Sequence, residues 1–152
     1  MIRLGHHAFE QRKSRIIAIV DQLGDVDVQD TGRRGQQRQL VVQVGTPDDG
    51  RPLEARFKYA EAYRLDGRRW RIVEYSYEYL DRARGGRLAY HYHDLPRHHG
   101  VFHVHCVRAE GRTSVSHFRA YEVDLLEAHA IFAQCYASGR PIDCFGLHPL
   151  KV

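Results

Sequence analysis

Long hydrophobic runs are missing from this chain. Nowhere do about 18 apolar residues follow one another, so the sequence offers no transmembrane helix. The opening Met1-Ile2-Arg3-Leu4-Gly5-His6-His7 lacks the apolar stretch of a secretory leader, and the expected compartment is the cytoplasm. Cysteine is scarce. Cys106, Cys135 and Cys144 are an odd number without a CxxC pair, which argues against a disulfide framework or a four-cysteine zinc site. They are expected to be small buried hydrophobes. No glycine-rich phosphate loop, nucleophile elbow or HExxH occurs, which removes most standard enzyme classes.

Lysine is nearly absent too: of 23 basic residues only Lys13, Lys58 and Lys151 are lysines. The net charge of +4 is therefore carried by arginine, whose planar fork suits phosphate. The same bias follows from a GC-rich genome. With 43% apolar and 28% charged residues over 152 positions, the chain can bury the core of one ordinary domain.

The periodicity predicts a helix over 6–23, with Phe9, Ile16, Ile17, Ile19, Val20 and Leu23 towards one face. Residues 25–37 suggest a loop or a ragged edge strand, and 40–44 a short strand. Thr46-Pro47-Asp48-Asp49-Gly50 is a turn. A strand over 53–65 closes at Asp66-Gly67. The strand at 70–79 puts Val73, Tyr75, Tyr77 and Tyr79 on one side, and Ile72, Glu74, Ser76 and Glu78 on the other. Strands at 88–93 and 101–108 flank a loop at 94–100, and a short segment at 115–119 follows. A helix over 122–138 has Leu125, Leu126, His129, Phe132 and Ala133 inside and ends at Gly139 and Pro141; the tail is expected as an extended cap. This order predicts a single α+β domain over 1–152: an antiparallel meander sheet with an N-terminal helix and a C-terminal helix packed on one face.

Eleven histidines are present, and His91, His93, His98, His99, His103 and His105 fall within one stretch. A hairpin centred on Arg97 pairs odd positions with odd. That sets His91 and His93 beside His103 and His105, opposite Leu88, Tyr90, Tyr92, Phe102, Val104 and Cys106. Such a face suits acid–base catalysis: RNA cleavage without metal needs a base for the 2′-hydroxyl, an acid for the leaving oxygen, and a cation such as Arg97 or Arg119. It equally suits a metal such as zinc, held by His91, His93, His103 and His105 with Asp94 completing the site. A histidine-rich exposed face without chemistry is the third reading. The tyrosine stripe is expected in the core rather than as a stacking platform, and His129 as a satisfied core residue.

The run Leu88-Ala89-Tyr90-His91-Tyr92-His93-Asp94-Leu95-Pro96-Arg97-His98-His99, followed by Phe102-His103-Val104-His105 and the acidic-leucine segment Val123-Asp124-Leu125-Leu126-Glu127, resembles the TumE family of small bacterial toxin–antitoxin proteins. The likeness covers residues 70–138, with Leu95 where that family usually has Asn. It implies a toxin acting on RNA, restrained by a cognate antitoxin, with Asp94, His98, His99, His103 and His105 at its site. The sequence-level expectation is thus a metal-independent endoribonuclease. His103 and His105 are the acid–base pair, His98 or His99 assists, Arg97 or Arg119 binds phosphate, and no cofactor is required. The competing expectations are a histidine-ligated zinc protein and a non-enzymatic interaction module or antitoxin, for which a homodimer would bury the histidine face.

Overall fold

The computed structural model describes residues 3–4, 6–45, 54–93, 102–107, 116–119 and 122–147, the backbone alone being described at 3–4, 6–7, 116–119 and 145. Eight strands form one antiparallel sheet: β1 (Arg3–Leu4), β2 (Val26–Asp30), β3 (Gln37–Val44), β4 (Ala55–Asp66), β5 (Arg69–Asp81), β6 (Gly86–His93), β7 (Phe102–Val107) and β8 (Ser116–Arg119). Strands β2 to β8 lie in chain order, as a meander requires, and β1 pairs with β5 beyond the end of β6. The helices are α1 (His6–Val20), continued by a 3-10 turn at Asp21–Leu23, α2 (Leu125–Ser138) and α3 (Cys144–Leu147).

Alternation explains which face the helices cover. Leu40, Val42 and Val44 of β3, Phe57, Tyr59 and Tyr63 of β4, Tyr75, Tyr77 and Tyr79 of β5 and Leu88, Tyr90 and Tyr92 of β6 are buried on one side. Phe132 of α2 lies 5.9 Å from both Tyr79 and Tyr90, and Phe9 of α1 meets Tyr63 edge-on at 4.9 Å. Each such aromatic buries about 150–250 Å², so this tyrosine layer is the core, as the stripe predicts. Asp124 caps α2 by accepting from the Glu127 amide at 2.9 Å, and Gly139 (φ 64°) closes it in the left-handed region.

Several expectations need correction. Register shifts between Ala62 and Tyr63, which pair with Glu74 and Ile72, so Val73 is an extra, bulged residue. The bulge moves Ile72 into the core and Val73 out of it, reversing the faces that simple alternation predicts. Of the two readings of 25–37, the edge strand holds rather than the loop, as β2 across Val26–Asp30. On α2, Ala128 is buried while Leu126 faces outward. The tail is not wholly extended, because Cys144–Leu147 forms a helical turn. The cysteine reading also fails. Cys106 and Cys144 form a disulfide with Cα atoms 5.8 Å apart, leaving Cys135 as the free thiol. The pairing joins β7 to the start of α3 across 38 residues, a proximity that spacing alone does not disclose.

One buried charge was not foreseen. Glu61 lies on the core face of β4 at 1% exposure. Arg12 of α1 donates to both its oxygens, at 3.0 and 2.5 Å. Tyr77 donates at 2.6 Å, and Tyr63 donates as well. Four donated bonds satisfy a carboxylate that would otherwise be costly to bury.

Candidate metal centre

The face away from the helices carries the histidines. His91 stands directly opposite His103, the register that a hairpin centred on Arg97 requires, and Ala89 stands opposite His105. Ring centroids are 5.3 Å apart for His91 and His103, 5.4 Å for His93 and His103, 4.6 Å for His91 and His105, and 4.9 Å for His103 and His105. One nitrogen from each of His91, His93 and His103 falls within 4.8 Å of the others. The cluster is sheltered: His103 is 4% exposed, and neighbouring Ala89 is fully covered.

Two features mark these rings. Glu74 lies opposite His93 in the β5–β6 register, and its Oε1 is 3.3 Å from His93 Nδ1. His91 Nε2 is buried and has no hydrogen-bond partner among the described residues. Burial, followed by the neighbouring His103, Arg87 and His93, pushes the His91 pKa down to about 4. Its imidazole is therefore neutral near pH 7, with a lone pair free to bind.

Beside this group Glu78 accepts from Arg56 at 2.9 Å and from Arg87 at 2.8 and 2.5 Å. Burial pulls the Glu78 carboxyl upward, but the two guanidiniums outweigh it and hold it below the usual range. The trio forms a charged border along the row Glu78, Ala89, His105. On the other side of the sheet, His129 Nδ1 pairs with the Tyr59 hydroxyl at 2.7 Å, the satisfied core contact expected of it.

The expected site residues divide as follows. His91, His93, His103 and His105 share one surface. Arg119 is in register with His103 on β8 and His117 with His105, both as backbone positions. Asp94, Arg97, His98 and His99 lie outside the described residues. Glu74 was missed as a site residue, although the turn before Gly86 already sets it opposite His93 once the hairpin is counted back from Ala83-Arg84.

The arrangement is an α+β sheet with an aromatic, helix-covered face and an imidazole-lined one. No family model, curated protein or solved structure matches the chain.

Proposed function

We propose that the chain is a metalloprotein that holds one divalent transition metal, zinc first, through His91, His93 and His103. The observation that carries this reading is the convergence of three ligand nitrogens within 4.8 Å on two hydrogen-bonded strands. Metal–nitrogen bonds of about 2.0–2.1 Å in a tetrahedral site require nitrogens roughly 3.3 Å apart. Small ring rotations on a fixed backbone bridge that difference. Neutral imidazoles suit zinc, copper or nickel better than calcium or magnesium. Glu74 beside His93 Nδ1 is the carboxylate that commonly orients a metal-bound histidine through its second nitrogen. Three protein ligands leave a fourth position for water, the pattern of catalytic rather than structural zinc, and a metal there supplies an acidified water for hydrolysis.

The test is elemental analysis of untagged protein, wild type against His91→Ala/His103→Ala. One zinc, nickel or copper per wild-type chain and none in the variant is the expected result. Wild-type protein that stays metal-free after incubation with zinc sinks the reading.

A second reading is favoured by the 4.6 Å approach of His91 and His105 and by the register of Arg119 with His103. Two imidazoles and a cation are the set needed for metal-independent RNA cleavage, the activity implied by the resemblance to the toxin family. It requires that expression of the chain arrest growth and degrade RNA, that His103→Ala/His105→Ala abolish both, and that a chelator leave cleavage intact. A cognate antitoxin as partner belongs to this reading alone.

No helix among the described residues is long and apolar enough to cross a membrane. A cytoplasmic location would require the Cys106–Cys144 pair to be reduced in the cell, since disulfides persist mainly in oxidising compartments.

A further inference from the structure

A cleft of about 440 Å³ opens on the histidine face, beyond Glu74. Its lining crosses the sheet along the row Gln39–Ala62–Glu74, and His93 is the next position of that row, so the cleft ends beside the triad. Ala62 keeps the floor low, and the bulge places Val73 in the lining and bends β5 at that point. The cleft is cationic. Arg34, from the β2–β3 turn, and Arg64 of β4 are exposed and have no carboxylate partner among the described residues. Arg38, by contrast, is committed to Asp30 and Glu10. Among the described residues lining the cleft the only acid is Glu74, which lies towards His93.

We propose that this cleft binds a small organic phosphate, held by Arg34 and Arg64 and by the side-chain amides of Gln37 and Gln39, with its far end presented to the metal position. The inference rests on the metal reading for that far end but not for the phosphate. Guanidinium forks match phosphate oxygens in pairs. Strand spacing of about 4.8 Å and a two-residue step of about 6.8 Å put the Arg64 and His93 Cα atoms roughly 12 Å apart. That span suits a ligand of metabolite length. A bounded volume in the range of small-molecule sites, with its free cations gathered at one end, does not suit a polymer backbone, which needs a stripe of them.

The experiment is calorimetric titration of phenyl phosphate into the full chain, zinc-loaded and chelator-treated, with a short single-stranded RNA as the comparison ligand. The expected result is saturable phenyl phosphate binding, weakened tenfold or more in Arg34→Glu/Arg64→Glu. Zinc content and urea midpoint should stay as in wild type. Arg64→Gln alone, a milder change at an exposed position, should weaken binding by a smaller factor. His91→Ala/His93→Ala should lose zinc yet bind phenyl phosphate within about threefold of wild type, so failure of the metal and failure of the cleft are read separately. Absence of phenyl phosphate binding, equal binding by the arginine variants, or binding of the RNA alone overturns the proposal.

Discussion

Glu74 and His93 face each other across adjacent strands, with Oε1 3.3 Å from a buried Nδ1 that makes no hydrogen bond among the described residues. A carboxylate turned into line with Nδ1 would leave Nε2 as the ligand atom and hold the ring for the ion. Glu74→Gln should therefore lower zinc affinity about 10–100-fold while leaving one site per chain. Competition with a chromophoric chelator measures it. Unchanged affinity would remove Glu74 from the site.

The depressed His91 pKa has a definite sign for stability. Metal-free, the native ring takes up its proton only near pH 4, whereas the unfolded chain does so near the ordinary value of about 6.5. Between those values the unfolded state binds more protons, so stability is full above about pH 6.5 and falls as the pH drops towards 4. His93, His103, His105, Arg87 and Glu78 surround the ring. Allowing for its partial contact with solvent, the loss is on the order of 2 kcal/mol. Urea midpoints of chelator-treated wild type and His91→Gln at pH 7 and pH 4.5 test this. The variant should show the shallower decline, and parallel declines would refute the assignment.

Removing Arg12 leaves the Glu61 carboxylate charged and buried. Arg12→Met should cost about 3–5 kcal/mol in urea unfolding. Arg12→Met/Glu61→Leu should recover part of that loss, because the stranded charge is gone. If the double variant is as unstable as the sum of the single ones, the pair is not coupled.

Alkylation of native protein without reductant should label Cys135 alone, and Cys106 and Cys144 should react only after reduction. Cys144→Ser should lower stability by about 4 kcal/mol on the chain-entropy estimate for a loop of this length. Three labelled thiols in protein trapped directly from cells would place the chain in a reducing compartment.

Local pattern carried the fold a long way. Turn residues such as Asp66-Gly67 and the odd-with-odd pairing about Arg97 were enough to order the strands and to bring His91 and His103 together, because hairpin register is set by short-range geometry. What escaped was long-range or aperiodic. Arg12 and Glu61 are 49 residues apart, and an acid within an alternating strand reads as solvent-facing until its partner is seen. Cys106 meets Cys144 only after β7 and α3 have packed. Val73 is invisible to a period of two, since a bulge interrupts that period without marking the sequence. The basic cleft beside Glu74 draws on the β2–β3 turn, β3, β4 and β5, so no contiguous motif announces it.

The tyrosine layer also gives the protein a built-in optical gauge. Burial pushes Tyr75 up to about 12 and lifts Tyr59, Tyr63, Tyr77 and Tyr79 well above the ordinary phenol range. Tyr59, Tyr63, Tyr77 and Tyr79 resist ionisation while the helices stay docked on the sheet. In strong base the part of the near-ultraviolet phenolate band due to these four rings should therefore rise in one cooperative step, as the layer opens, rather than one ring at a time.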